Sequence, residues 1–225
     1  MPGRTAIASR SAEQVAQSAR YLSTPRRHAD AQAGRARPGI ATATDTKAAF
    51  VIEPTPLLCL DFEASGNDPR CYPIEVAIAN VAPGNARDWL IAPTPAWLET
   101  GLWQAEAEAI HGLSRAEIIA FGRSVVDVAR ELAAYAQGAQ VLSDAPTFDG
   151  KWLRDLYAAT GTEPPFVLLD FHQFIWHEAA TRGRRPDIAI VKAEAEAYVL
   201  YPKQHRAGPD ARRNAEMIRQ VRGRP

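Results

Sequence analysis

The segment Pro56-Leu57-Leu58-Cys59-Leu60-Asp61-Phe62-Glu63 constrains this chain more than any other, because a continuous apolar run closes on two carboxylates two residues apart. A run of this length, followed by polar residues and Gly66, predicts a buried strand. Side chains two apart on a strand leave the same face, so Asp61 and Glu63 point the same way near the strand's end. Placed side by side they repel each other. A divalent cation removes that repulsion, and hard oxygen ligands suit Mg²⁺ or Mn²⁺. The spacing alone decides little, since Glu106/Glu108 and Glu194/Glu196 repeat it in stretches that read as helix.

Further elements follow from local pattern. Residues 72–81 alternate in polarity, and residues 88–93 follow the Pro83-Gly84-Asn85 turn, which predicts an antiparallel meander of three strands. Helices are expected over 103–110, 114–121 and 124–137, the last with Val125, Val128, Leu132 and Ala133 at helical spacing. A fourth strand is expected at 140–143, a helix from 148 to 160 closed by Gly161, a fifth strand at 166–169 and a helix over 172–181. A last helix is expected from about Pro209 to Val221, with Pro209 suited to its first turn. This order predicts an α/β fold, a five-stranded sheet of mixed direction flanked by helices. The Arg182-Gly183-Arg184-Arg185-Pro186 stretch reads as a basic loop between helices, a solvated connector in preference to a phosphate contact.

Composition sets the limits. The 225 residues, 46% hydrophobic and 23% charged, suit one domain plus a tail, and no apolar run reaches the length of a membrane span. Residues 1–50 carry eight Lys/Arg against three Asp/Glu with few large apolar side chains, so residues 1–53 read as a disordered basic tail and 54–225 as the folded domain. An organellar transit peptide or an over-extended start would have the same composition, whereas Met1–Arg20 lacks the apolar centre of a secretory signal. Residues 51–200 hold 11 positive against 21 negative side chains, a net of −10, which does not fit a broad basic groove for long duplex DNA. The two cysteines have no metal-type pairing around them, and Cys59 reads as a small buried hydrophobe. A reducing, cytoplasmic compartment fits.

Two downstream pieces give the first pair of acids its meaning. In residues 142–153 an apolar strand ends in a short turn and Asp149 stands at the start of a helix, with aromatic and aliphatic neighbours to anchor it. In His205-Arg206-Ala207-Gly208-Pro209-Asp210 a loop histidine precedes by five residues an aspartate in a first helical turn, and none of the other four histidines has an acid at that offset. With Asp61-Phe62-Glu63-Ala64-Ser65-Gly66, with Phe148-Asp149 and Trp152-Leu153, and with Ile110-His111-Gly112-Leu113-Ser114 between them, the chain resembles the DEDDh exonuclease superfamily over roughly residues 56–222. Members of that superfamily include ribonuclease T, oligoribonuclease-like enzymes and the proofreading subunit of replicative polymerases.

The resemblance implies an RNase H-like fold, with Asp61, Glu63, Asp149 and Asp210 around two metal ions and His205 as general base. Two ions about 3.5–4 Å apart can activate water, hold a phosphate and stabilise the leaving oxygen. An imidazole, with an ordinary pKa near about 6.5, takes a proton from water near neutral pH. Gly208 beside His205 suggests a loop that moves toward substrate. Where the family often has His-Asn-Ala before the second motif, this chain has Asp144-Ala145-Pro146, and Asp144 is read as a helix cap or turn former in preference to a role in the metal's outer shell. His111 stands either on the substrate side or as a cap. Phe62, Trp103 and Phe148 are candidate stacking surfaces for a terminal base, each weighed against a place in the core.

The expected activity is metal-dependent 3′→5′ hydrolysis at the free end of single-stranded nucleic acid, RNA or short oligonucleotides before DNA, releasing nucleoside 5′-monophosphates. The alternative is a catalytically idle nucleic-acid-binding module of the same fold. No membrane partner is expected, and a homodimer is compatible with the charge distribution.

Overall fold

The computed structural model describes residues 55–223, so the expectations for a basic tail or leader in residues 1–53 lie outside the described residues. The apolar run forms β1 (Leu57–Ala64), which pairs antiparallel with β2 (Pro73–Asn80), and β2 pairs antiparallel with β3 (Ala86–Leu90). On its other side β1 runs parallel to β4 (Gln140–Ser143), and β4 runs parallel to β5 (Leu168–Asp170). The resulting order is β3-β2-β1-β4-β5, with the strand that carries Asp61 and Glu63 at the centre. A central strand is paired on both edges and held most rigidly, which suits it to carry a site.

Eight helices complete the described residues: α1 (Pro95–Thr100), α2 (Ala105–His111), α3 (Arg115–Phe121), α4 (Val125–Ala136), α5 (Pro146–Ala158), α6 (Phe171–Thr181), α7 (Pro186–Leu200) and α8 (Ala207–Arg222). Local signals start several of them. Ser114 and Glu117 form a reciprocal capping box on α3, and Ser124 accepts the Asp127 N–H to cap α4. The last helix begins at Ala207 instead of Pro209, so Gly208 is a buried residue of its first turn. That corrects the reading of Gly208 as a loop residue: it lies in the first turn of α8, which the Asp210 N–H closes by donating to the Arg206 carbonyl at 3.1 Å.

Strand alternation divides the core in two. Leu58, Leu60 and Phe62 of β1 and Val76 and Ile78 of β2 pack with α4 and with Trp152, Leu153 and Leu156 of α5. The alternate residues Leu57, Cys59, Ala77 and Ala79 pack with α6, α7 and α8, where the contributors include Ala193, Ala197, Ala207, Ala211 and Ala215. Cys59 is buried there, as its reading as a small hydrophobe requires. Burial of each large aliphatic side chain contributes about 1.5–3 kcal/mol.

The basic loop between α6 and α7 is exposed: Arg182 pairs with Glu178 at 2.7 Å, Arg185 with Asp187 at 2.7 Å, and Arg184 donates to the Gln220 carbonyl at 3.3 Å. These contacts fit the connector reading. No helix of the described residues is long and apolar enough to cross a membrane.

Candidate metal centre

Asp61 and Glu63 leave β1 on the face covered by α8, both half-buried, and the β1–β2 register is interrupted between Glu63 and Ala64. An irregularity of this kind bends a strand and re-aims its side chains, which is why such features recur beside sites. Asp149, 3% exposed, comes from the first turn of α5, just beyond the end of β4. Asp210, 5% exposed, comes from the first turn of α8. Acids from three distant stretches of the chain, joined by Asp144, therefore meet at one end of the central strands.

They form two groups that share Asp61. Ligand oxygens of Asp61, Glu63 and Asp210 all lie within 4.8 Å of one another, as do those of Asp61, Asp144 and Asp149. The donor set is oxygen only, as hard divalent cations require. The carboxylates are crowded enough to resist ionisation together. Burial first, then the charges of Asp149, Asp144, Glu63 and Asp210, hold the Asp61 carboxyl well above the usual carboxylate range. Burial, then Asp210 and Glu75, push Glu63 up to about 8 against the opposing effect of Arg206. Burial also pushes Asp149 up to about 8, although hydrogen bonds from the Ser143 hydroxyl and the Phe62 N–H favour its charged form. A divalent cation between these oxygens offsets both the repulsion and the lost hydration, so the residues fit the group the resemblance implies.

The surroundings restrain each acid. Ser143 donates its hydroxyl to Asp149 and accepts the Ala145 N–H at 3.0 Å. Arg213, itself 5% exposed, donates Nη1 to Asp210 Oδ1 at 2.5 Å. The N-cap of α5 is Ala145, with no side-chain cap bond, so Asp144 caps nothing. The cap half of its preferred reading is corrected, since Ser143 supplies the acceptor for the Ala145 N–H; Asp144 lies in the bend between β4 and α5, and its carboxylate joins the others.

The other candidates are dispersed. Phe62 is 7% exposed on the opposite face of the sheet, in the core with Leu58 and Leu60. Strand alternation that sends Asp61 and Glu63 to one face sends the residue between them to the other, which corrects its reading as a stacking surface. Phe148, adjacent to Asp149, is 55% exposed and its ring is free to meet a ligand. Trp103 is half-buried, donating Nε1 to Glu108 at 2.5 Å. His111 closes α2, is buried edge-on against Trp103, and accepts the Leu113 N–H on Nδ1 at 3.0 Å. Its Nε2 has no hydrogen-bond partner, and burial is the main cause that lowers its pKa. His205 is exposed in the turn before α8, with a left-handed backbone at φ 50°.

Two residues escaped the sequence reading. Glu75 is buried at 3% on β2 opposite Glu63, and Arg206 pairs with it at 2.7 Å. The signal was a single acid in the apolar stretch Ile74-Glu75-Val76, an expensive position unless the charge is paired.

No family model matches the chain, and no curated protein matches it. Solved structures do. The structure of E. coli exonuclease I in complex with a dA16 oligonucleotide aligns at a TM-score of 0.57 with 16% identity, covering 74% of this chain and 41% of that one. A second structure of exonuclease I, concerned with how processivity is achieved, aligns at 0.57 with 15% identity over 74% and 41%. This chain thus matches less than half the length of exonuclease I. At that identity the likeness speaks for architecture: the chain has the mixed five-stranded, helix-flanked RNase H-like fold found in exonuclease I.

Proposed function

We propose that residues 54–225 form a metal-dependent 3′→5′ exonuclease domain acting on single-stranded nucleic acid. The observation that carries this reading is the pair of carboxylate groups sharing Asp61 at the end of the central strand. Two sets of oxygens with one common member suit two adjacent cations, Mg²⁺ or Mn²⁺, better than one. When bound, the metal supplies Lewis-acid neutralisation of a phosphodiester. Asp61 is the ligand common to both groups, Glu63 and Asp210 complete one, and Asp149 with Asp144 completes the other.

The remaining roles fall to candidates outside the cluster. His205 accepts a proton from water as the water oxygen bonds to phosphorus and the bond to the 3′ oxygen breaks; the 3′ oxygen takes a proton from solvent to become the new terminal hydroxyl, and a nucleoside 5′-monophosphate is released. Phe148 offers its exposed ring to the terminal base. The net charge of −10 over residues 51–200 favours a short or frayed strand over a long duplex. RNA and short oligonucleotides are the first substrates to try. The oligonucleotide in the exonuclease I complex makes single-stranded DNA the second.

The test is degradation of matched RNA and DNA strands of several lengths by the purified chain with Mg²⁺. A strand with a free 3′ end should shorten stepwise and release mononucleotides, while a 3′-blocked strand stays intact. Full-length product from the free strand, or equal loss of the blocked one, overturns the reading.

A further inference from the structure

Glu75 has an unusual set of partners for a buried acid. Both of its oxygens are engaged by the segment that follows His205. Arg206 donates Nε to Oε2 at 3.0 Å and Nη2 to Oε1 at 2.7 Å, a two-pronged contact, and the Ala207 N–H donates to Oε2 at 2.9 Å. Ala207 opens α8, and its N-cap, Arg206, makes no side-chain cap bond. Glu75 thus supplies, from a strand 132 residues away, the acceptor that a local Ser or Asp would give. A cap alone would not call for a buried charge, which costs several kcal/mol, on the order of magnitude known for ions removed from water, unless a partner offsets it. Here Arg206 offsets it, and the consequence is a rigid link from β2 to the residue after His205.

His205 itself gives the second observation. Among the described residues it alone, apart from glycines, has positive φ, at 50°. A side chain with a Cβ holds that conformation only where its surroundings over-determine it. The clamp on residues 206 and 207 is such a surrounding. We propose that Glu75 is a positioning residue for His205, holding the turn 205–207 in its left-handed form through the Arg206 guanidinium and the Ala207 N–H so that the imidazole is fixed for proton transfer. This rests on the reading of His205 as the base.

The full chain carrying Glu75→Gln tests it. Misplacement of a catalytic group by about 1 Å is enough to lower kcat by ~100-fold, so a loss of ~10- to 100-fold is expected, with KM changed by less than about threefold. In a double-mutant cycle the same change made on His205→Ala should cost no more than about twofold, because the group it positions is gone. An equal loss in both backgrounds would mean general structural damage and overturn the proposal. Should Glu75→Gln fail to fold, Arg206→Lys carries the same cycle, since it keeps the charge and loses the two-pronged geometry. A readout free of activity accompanies these rates. The imidazole NMR signals of His205 should shift and broaden in either variant while those of the exposed His172 stay in place. Unmoved His205 signals overturn the clamp. An inactive wild-type chain would instead sink the exonuclease reading, leaving the NMR result to judge the clamp by itself.

Discussion

The two faces of the central sheet are built from the same strands and do opposite work. On one face β1 presents Leu58, Leu60 and Phe62, which interlock with Leu132 of α4 and Trp152 and Leu156 of α5. On the other it presents Cys59, Asp61 and Glu63, and the covering helix α8 brings Ala207, Ala211 and Ala215. Large side chains fill space and resist change on the first face. Small ones on the second let a helix backbone come close, so that Asp210 in its first turn reaches the carboxylates of β1. The apolar packing and the carboxylate cluster are separated by a half-turn of side-chain direction along one strand.

This contrast can be broken by substitution on either side of it. The largest effect should come from Asp61→Ala, which removes the acid common to both carboxylate groups. Loss of the several kcal/mol that a bound metal supplies corresponds to about a thousandfold or more in rate. Thermal stability should be kept or rise, because a buried repulsion goes with it. Cleavage at the parental rate would move the active centre elsewhere. Its neighbour Leu60, fully buried on the other face, should behave in reverse. Leu60→Ala should lower unfolding free energy by about 2–5 kcal/mol in denaturant titration, while the variant that remains folded binds Mn²⁺ as before. A variant of full stability that had lost its metal would erase the division between faces.

The smallest expected effect is one of pH. Glu63 and Asp149 are pushed up to about 8 in the metal-free chain, above the ordinary carboxylate value of about 4. Between those values the folded form binds more protons than the unfolded one, so stability falls as pH rises and the contribution is lost through about pH 8. Metal-free Tm should therefore decline from about pH 5 to about pH 8. Added Mg²⁺ or Mn²⁺ should raise Tm more at the upper end, where the ligands are free of protons. A cation effect equal at both ends would argue that these acids do not bind it.

Much of this was legible in the chain itself, for reasons that differ by residue. The strands announced themselves by different signals: β1 by an apolar run between Pro56 and Gly66, β2 by alternation, and β3 by the Pro83-Gly84-Asn85 turn before it. Asp61, Glu63, Asp149 and Asp210 could be picked out because each sits where an element begins or ends, in an order that resembles a known family. Phe62 was misread because being adjacent to a site in sequence places a strand residue on the opposite face. Asp144 stands in the turn as expected but does not cap the helix, because cap preferences are local and a neighbouring hydroxyl, Ser143, already accepts the turn's N–H.

The sequence by itself determined the strands, most of the helices, their order and which residue types could bind a cation, because periodicity and turn chemistry act over a few residues, whereas the short α1 (Pro95–Thr100) carried no such periodic signal. Tertiary structure alone decided that Asp144 joins the cluster and that Glu75 reaches across 132 residues to accept the Ala207 N–H. Those outcomes depend on strand register and on how closely α8 lies against the sheet, so that the lone acid in Ile74-Glu75-Val76 signals a buried pair without naming its partner.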